Sequence, residues 1–263
     1  IDFIILCTQS PDYFLPTTAC IVQNKLGLQT NCGALDFNLG CSGYTYGLSF
    51  AKALIESGQA KKVLLVTAET YSKLIHEKDR TNRSIFGDAA TATIISESTE
   101  NNIHDFLFGT DGKGYDKLIV KNGASRHVFD LNCELKEYGS GNKYSDNHLY
   151  MNGPEVFNFT ASVIPNFTKE LLRKNTIDID QIDQYIFHQA NAFMLNFMRK
   201  RIKISKNKFY INLKTSGNTV SCTIPIALKD YSQKIKTPKK IMVVGFGVGL
   251  SWSGGLIHIK KPL

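Results

Sequence analysis

The chain has 263 residues, of which 43% are hydrophobic and 21% charged, an ordinary composition for a globular protein with a sizeable core. Its apolar runs have the length of strands, and none approaches the ~18 residues that a membrane-spanning helix needs. The formal net charge of +8 suits an acidic or phosphate-bearing partner. Because the basic residues follow no nucleic-acid-binding motif, nucleic acid is not expected as a partner.

Apolar runs rich in β-branched residues predict four strands in the first part of the chain, with helical segments between them. The strands are predicted at residues 1–8, 34–38, 61–67 and 89–96, and the helices at 17–26 and 44–56. Residues 109–149 are rich in Gly, Asn, Asp and Lys, and their weak periodicity predicts long loops with short strands. A helix is predicted over 155–173, with a kink or an early break at Pro165.

Three segments of the first half recur in the second half, in the same order and at similar spacing, which indicates an internal duplication. They are Ile1-Asp2-Phe3-Ile4-Ile5 with Ile182-Asp183-Gln184-Tyr185-Ile186, Asn38-Leu39-Gly40-Cys41-Ser42-Gly43 with Asn212-Leu213-Lys214-Thr215-Ser216-Gly217, and Lys61-Lys62-Val63-Leu64-Leu65-Val66 with Lys239-Lys240-Ile241-Met242-Val243-Val244. The sequence therefore predicts an α/β protein with two similar halves, residues 1–108 and 151–263, joined by a loop-rich cover at 109–150. A helix precedes the repeated strand only in the second half, so the first half is expected to be incomplete at its N-terminus.

The six cysteines are scattered, without the paired spacing of a zinc site or of a disulfide framework. This pattern predicts reduced thiols, a cytoplasmic location and no metal, and residues 1–7 lack the features of a signal peptide. The cysteines are Cys7, Cys20, Cys32, Cys41, Cys133 and Cys222.

Cys41 lies between the predicted strand 34–38 and the predicted helix 44–56, in the turn Gly40-Cys41-Ser42-Gly43. Unpaired N–H groups at a helix N-terminus stabilise a thiolate, so we expect a lowered thiol pKa and a nucleophilic Cys41. The small neighbours are expected to let a substrate approach closely. Taken alone, an inert core thiol would be the commoner interpretation.

The equivalent loops of the second half carry His188, Asn218 and the glycine-rich turn Gly245-Phe246-Gly247-Val248-Gly249. Ligands of α/β sheets bind beyond the carboxyl ends of the strands, so these groups are expected to meet Cys41 in one cleft. A thiolate there would accept an acyl group from a thioester, while the His188 and Asn218 side chains would donate hydrogen bonds to a carbonyl oxygen that becomes negative. Each residue also has a structural interpretation, as a paired histidine, a turn-forming asparagine and a tight turn.

In this order the motifs resemble the thiolase-fold condensing enzymes, and most closely the β-ketoacyl-ACP synthase III family. The resemblance covers nearly the whole chain and implies a duplicated, thiolase-like α-β-α-β-α layered fold that lacks the family's N-terminal segment. The motifs that carry it are Ser10-Pro11-Asp12-Tyr13-Phe14-Leu15-Pro16, Gly40-Cys41-Ser42-Gly43, Phe86-Gly87-Asp88-Ala89-Ala90, Met151-Asn152-Gly153-Pro154-Glu155-Val156-Phe157, His188-Gln189-Ala190-Asn191, Gly217-Asn218-Thr219 and residues 245–252.

The resemblance implies an acyltransferase of fatty-acid biosynthesis, in which acyl-CoA loads the nucleophile and malonyl-ACP then condenses with loss of CO₂. Cys41 would carry the acyl group, and His188 and Asn218 would bind the thioester carbonyl of the extender unit. The implied roles of the other residues are the oxyanion-hole N–H groups of Cys41 and Val248, and substrate binding by Phe86, Gly153, Gln189, Phe246 and Gly247. No cofactor is implied beyond the CoA and ACP thioesters.

The resemblance also implies a homodimer, in which the strand at 34–38 pairs with its copy across the two-fold axis and a residue of 15–18 reaches the partner's pocket. A basic residue that is common in the family just after His188-Gln189-Ala190-Asn191 is absent at Ala192-Phe193. The basic run 199–203 follows instead, either as a docking site for an acidic carrier protein or as a solvated helix end.

Two further hypotheses stay open at this point. One is a relative that transfers an acyl group without decarboxylation, in a polysaccharide or secondary-metabolite pathway. The other is a truncated accessory subunit that keeps the fold but depends on a partner chain.

Overall fold

The computed structural model describes residues 1–139 and 141–260, which form twelve strands and six α-helices within those ranges. The strands are β1 (Phe3–Cys7), β2 (Gly33–Phe37), β3 (Lys62–Glu69), β4 (Ala89–Ser96), β5 (Ile103–Thr110), β6 (Leu118–Ile119), β7 (Lys136–Tyr138), β8 (Asn142–Tyr144), β9 (Tyr150–Met151), β10 (Gln184–Phe187), β11 (Lys239–Gly247) and β12 (Ser251–Ile259). The helices are α1 (Thr18–Lys25), α2 (Gly43–Glu56), α3 (Arg80–Ile85), α4 (Gly153–Lys174), α5 (Ala192–Ile202) and α6 (Thr223–Ser232).

The two large sheets repeat one topology. The first has the order β2-β1-β3-β4 and the second has the order β10-β11-β12-β5. In both sheets a parallel pair, β1 with β3 and β10 with β11, is followed by an antiparallel strand. Phe3 pairs with Val63 and Gln184 pairs with Ile241, and these four residues occupy matching positions in the repeated motifs. The duplication inferred from the sequence is therefore confirmed down to the register of the strands.

The two halves differ at the ends of their sheets. In the second sheet β12 pairs with β5, a strand that extends across residue 108, the predicted end of the first half. In the first sheet β4 has no second neighbour among the described strands. The sequence repeat also predicts a strand before Asn218, equivalent to β2. The structure reduces it to a single bridge between Phe209 and Tyr185, so this expectation is wrong in its extent.

Five layers result from the packing of the helices. Helices α2 and α6 share an apolar cluster with β1, β3, β10 and β11 and so lie between the two sheets. Helix α1 covers the outer face of the first sheet, and α4 and α5 cover the outer face of the second. This is the predicted α-β-α-β-α arrangement.

Helix α4 continues from Gly153 to Lys174 through Pro165, so the early break expected there is wrong. Proline removes one backbone hydrogen bond and crowds the preceding turn. Ile164, Phe167 and Leu171 are buried against the second sheet, and the burial of these side chains offsets that cost. The described residues between β5 and α4 form short strands, turns and one short 3₁₀ helix at Gly112–Gly114, in agreement with the predicted long loops with short strands.

Candidate active site

Cys41 lies in the turn between β2 and α2 and is 5% exposed. A Cβ atom on Gly40 would lie 2.6 Å from Gln9 Oε1, and one on Gly43 would lie 2.2 Å from Cys7 Sγ. The glycines of this turn are thus required by packing within the protein, and not only by the approach of a substrate as expected from the sequence.

The thiol of Cys41 does not have the lowered pKa that the helix N-terminus suggested. Burial, followed by the negative charge of Glu69, raises the pKa of Cys41 to about 12, while the N–H groups of Val248 and of Cys41 itself act in the opposite direction. Loss of hydration therefore outweighs the effect of the helix N-terminus, and the buried thiol is protonated.

The glycine-rich turn after β11 packs directly against the nucleophile. A Cβ atom on Gly247 would lie 2.6 Å from Cys41 Sγ, and one on Gly245 would lie 2.7 Å from the carbonyl oxygen of Cys41. Only glycine allows β11 to come this close. The next residue, Val248, then directs its N–H group at the Cys41 sulfur, where it lowers the thiol pKa.

His188 follows β10 and is held by one hydrogen bond from its backbone and one at its imidazole ring. Its backbone N–H donates to the carbonyl of Val244 (2.8 Å), and its Nδ1 lies 2.7 Å from the hydroxyl of Thr223. The ring packs edge-on against Phe246, with 5.6 Å between ring centroids. Burial lowers the pKa of His188 to about 3, with a small opposing effect from the carbonyl of Val220, so the imidazole is neutral.

Asn218 is fixed by the loop that carries Phe86. Its N–H donates to the carbonyl of Ile85 (2.9 Å) and its carbonyl accepts from the N–H of Gly87 (3.0 Å), like one step of a parallel sheet. The side-chain Oδ1 accepts from the N–H of Val220 (2.9 Å). With Oδ1 engaged, the amide nitrogen Nδ2 is the group left to donate to a ligand.

One cavity of about 400 Å³ brings Cys41, His188 and Asn218 together. Four of the predicted substrate-binding residues also line it, and its remaining wall is mostly apolar. The lining residues are Cys41, Thr81, Ile85, Phe86, Leu118, Met151, Gly153, Pro154, Val156, Phe157, Asn158, Thr160, His188, Ala190, Asn191, Phe193, Met194, Asn218, Phe246 and Gly247. A larger cavity, of about 570 Å³, lies between α2 and β4 and does not reach Cys41.

Gln189 is the predicted site residue that the structure places elsewhere. Its Nε2 donates to the carbonyl of Phe187 (2.6 Å), and its Oε1 accepts from the N–H of Asn212 (2.7 Å). The amide is therefore engaged in holding the neighbouring backbone, and it does not line the cavity. Its expected place along the substrate tunnel stays a prediction.

Further residues line the cavity that were not among the predicted site residues. Leu118 reaches it from β6, where weak periodicity gave no signal for a role at the site, and Met151 reaches it from β9, although it belongs to the motif at residues 151–157. Thr223 contacts His188 from the start of α6, and its only signal was its place five residues after Asn218.

Over the described ranges, no group of three or more His, Cys, Asp or Glu side chains is arranged to hold a metal ion. A separate search of the helices in the same ranges found none that is both long and apolar enough to cross a bilayer.

The fold and the cavity together define a thiolase-type α/β protein with a cysteine at the base of an apolar pocket. Two family models match the chain: that for 3-oxoacyl-[acyl-carrier-protein] synthase III over residues 35–112, and that for its C-terminal domain over residues 172–259. The β-ketoacyl-[acyl-carrier-protein] synthases III of Clostridium tetani and Clostridium perfringens are 39% and 40% identical to it over 262 residues. These alignments cover 98% of this chain and 77% and 78% of the two relatives.

Solved structures agree with the sequence relatives. A 3-oxoacyl-(acyl-carrier-protein) synthase III superposes with a TM-score of 0.95 at 48% identity, covering 98% of this chain and 78% of the other. The Thermus thermophilus synthase III superposes with a TM-score of 0.84 at 33% identity, covering 98% and 77%. The chain belongs to the 3-oxoacyl-[acyl-carrier-protein] synthase III family. It is a condensing acyltransferase of fatty-acid biosynthesis.

Proposed function

We propose that this enzyme joins the acyl group of an acyl-CoA to the two-carbon unit of malonyl-ACP, with Cys41, His188 and Asn218 as catalytic residues. The observation that carries the proposal is the single apolar cavity onto which these three side chains converge. CoA and ACP thioesters are the substrates, no other cofactor takes part, and the reaction takes place in the cytoplasm.

In the first step, the sulfur of Cys41 attacks the acyl-CoA carbonyl, and the C–S bond to CoA breaks. The thiol proton leaves with CoA, which departs as a free thiol. The N–H groups of Cys41 and Val248, which both act on the Cys41 sulfur, bind the carbonyl oxygen while it is negative. Phe86 and Phe246 line the space next to the bound acyl group.

In the second step, malonyl-ACP loses CO₂ and the electrons of the broken C–C bond form an enolate. His188 Nε2 and Asn218 Nδ2 donate hydrogen bonds to the enolate oxygen. A neutral imidazole carries one N–H, so this role requires Nδ1 to accept a hydrogen bond. The Thr223 hydroxyl, which donates to the carbonyl of Val220 (3.1 Å) in the structure, therefore has to turn its proton to Nδ1 in this step. The enolate carbon then attacks the acyl carbonyl, and Cys41 leaves as a thiolate that takes up a proton.

The carrier protein is proposed to dock on the exposed face of α5. Phe193 lies at the cavity mouth and is 72% exposed, and Lys200 and Arg201 are exposed further along the same helix. An acidic carrier would meet these cations while its pantetheine arm enters beside Gly153.

The first experiment is intact-mass measurement after incubation with a panel of acyl-CoAs, followed by addition of malonyl-ACP. We expect one acyl adduct, its absence in Cys41→Ala, and its loss as β-ketoacyl-ACP and CO₂ form. Cys222→Ala, which removes another buried thiol, is the matched control and is expected to retain the adduct.

An adduct that also forms on Cys41→Ala would rule out this nucleophile. Transfer of the acyl group without release of CO₂ would instead indicate the non-decarboxylating acyltransferase. A folded wild-type protein that forms no adduct would contradict the proposal and favour an accessory subunit.

A further inference from the structure

Glu69 is a buried carboxyl group that the proposed mechanism does not use. It is the last residue of β3, at the end of the apolar run Val63-Leu64-Leu65-Val66, and it is 1% exposed. An acidic side chain at such a position is costly unless hydrogen bonds compensate for the lost hydration. Its partners therefore indicate what it does.

Three groups donate hydrogen bonds to the Glu69 carboxyl. Ser221 Oγ donates to Oε1 (2.7 Å), and the Gln9 N–H (3.1 Å) and Ser10 Oγ (3.5 Å) donate to Oε2. All three partners donate, so the carboxylate form, which only accepts, matches this arrangement.

The first of these contacts reaches the segment that carries Asn218. Ser221 follows Val220, whose φ of +56° is strained for a β-branched residue. The Val220 N–H donates to Asn218 Oδ1 (2.9 Å), and its carbonyl accepts from Thr223 Oγ1 (3.1 Å), which also contacts His188. A strained segment with Asn218 at one end and the partner of His188 at the other needs a fixed anchor.

The other two contacts reach the region behind Cys41. Gln9 Oε1 accepts from the hydroxyl of Tyr71 and lies 2.6 Å from where a Cβ on Gly40 would stand. Glu69 thereby links the residues after β1, the turn of the nucleophile and the segment of Asn218, which come from distant parts of the sequence.

We propose that Glu69 is a positioning residue for the condensation step, whose carboxylate anchors residues 218–223 so that Asn218 and His188 meet the extender thioester. The role rests on the proposed function. It differs from a general structural role in the step that it affects. Ser221 ties Glu69 directly to the Asn218 segment, whereas the nucleophile turn is also held by packing that does not involve Glu69, that of Gly43 against Cys7 and of Gly247 against Cys41.

Removal of the Glu69 charge predicts a second effect, a more reactive Cys41 thiol, which is opposite in direction to the slower condensation. The titratable groups that its charge reaches are Cys7 on β1, Cys41, Tyr71 and Cys222, and in each case it raises the pKa. Burial raises the pKa of Glu69 itself to about 7, so the charge is present above that pH. Removing it makes the Cys41 thiolate easier to form.

The test compares Glu69→Gln, Ser221→Ala and the wild type at pH 8, with Glu97→Gln on the exposed surface as control. Intact mass follows acylation by acyl-CoA and then loss of the acyl group on addition of malonyl-ACP. Iodoacetamide alkylation of Cys41 reports the thiolate fraction, and circular dichroism reports folding.

For Glu69→Gln we expect condensation to slow about tenfold or more, while alkylation accelerates about threefold or more. Ser221→Ala keeps the charge, so it is expected to slow condensation without changing alkylation. Glu97→Gln is expected to match the wild type in both.

A folded Glu69→Gln variant that loses both rates in parallel, or neither, would overturn the positioning role. If Glu69→Gln does not fold, Ser221→Ala decides, and unchanged condensation in it overturns the proposal. A wild-type acyl-enzyme that malonyl-ACP does not discharge would instead overturn the proposed function, and this role with it.

Discussion

Burial decides the protonation of Cys41 and His188, the two ionisable side chains among the proposed catalytic residues. It raises the pKa of Cys41 to about 12 and lowers that of His188 to about 3, so the resting cavity holds a neutral thiol and a neutral imidazole. A charged thiolate–imidazolium pair is thereby disfavoured. A neutral imidazole suits a hydrogen-bond donor to an enolate, since it can donate without first being protonated.

The depressed pKa of His188 predicts a loss of stability in acid. Below its ordinary pKa of 6.5, the unfolded chain binds a proton that the folded protein excludes, so stability falls as the pH falls from 6.5 towards 3. Between pH 8 and pH 5 this amounts to about 2 kcal/mol. We therefore expect the free energy of unfolding of His188→Gln, measured in urea, to rise by about 2 kcal/mol relative to that of the wild type between pH 8 and pH 5.

Comparing His188→Gln with the wild type isolates the effect of His188. Glu69, whose pKa is raised to about 7, changes the stability in the opposite direction as the pH falls, and it does so in both proteins. Its protonation in the folded state adds stability as the pH falls from 7 towards 4.5. A wild-type-to-variant difference that does not change with pH would show that His188 titrates normally in the folded protein.

The predicted site residues that the structure brings together are those that a backbone motif places. Cys41 and His188 each follow a repeated strand and Asn218 follows the repeated segment 212–217, so their position depended on topology. The contacts of Gln189 and Glu69 could not be predicted, because they depend on the direction of a side chain within the folded protein. The prediction of a lowered pKa for the Cys41 thiol was wrong for a related reason, because the burial that raises this pKa depends on the whole fold.

At the scale of elements, local patterns predicted the strands and helices but not how packing overrides them. Strand β4 was predicted with its observed bounds, because alternating small and β-branched residues determine an edge strand locally. Helix α4 passed through Pro165 because three large side chains within two turns of it are buried. The strand expected before Asn218 is reduced to one bridge at Phe209, and the polar and turn-forming residues Lys214-Thr215-Ser216-Gly217 follow a few positions later.

Helix α5 gives a prediction about carrier recognition. Reversing the charge in Lys200→Glu and Arg201→Glu is expected to raise KM for malonyl-ACP about three- to tenfold, with most of the effect lost at high salt. The rate of acylation by acyl-CoA is expected to stay the same, because neither side chain lines the cavity.

Lys25→Glu makes the same charge change on α1, which covers the other sheet, and serves as the control. An equal rise of KM in this control would attribute the effect to net charge. Unchanged KM in both α5 variants would remove this helix face as the docking site.

At the scale of the whole molecule, the two sheets end differently. The second sheet ends in β5 beside β12, whereas β2 and β4 have free outer edges within the described part of the chain. An unpaired edge strand is a template for association unless it is blocked. On the β2 side, Leu35 is 38% exposed and Phe50 on α2 is 41% exposed, which gives that edge an apolar flank.

This asymmetry predicts which edge would hold together the homodimer that the family resemblance implies. In a dimer that pairs β2 with its copy, Leu35→Glu brings two carboxylates close to the two-fold axis, and like charges at such an interface cost several kcal/mol. We expect this variant to be monomeric by sedimentation at a concentration at which the wild type is dimeric. If a residue of 15–18 enters the partner's pocket, as the resemblance implies, acylation is also expected to slow in this variant.

Ile94→Glu is the matched control, since Ile94 is 62% exposed on β4 at the opposite end of the same sheet. It places the same charge on an apolar edge residue and is expected to leave the dimer intact. Dissociation by Ile94→Glu but not by Leu35→Glu would assign the interface to the β4 edge.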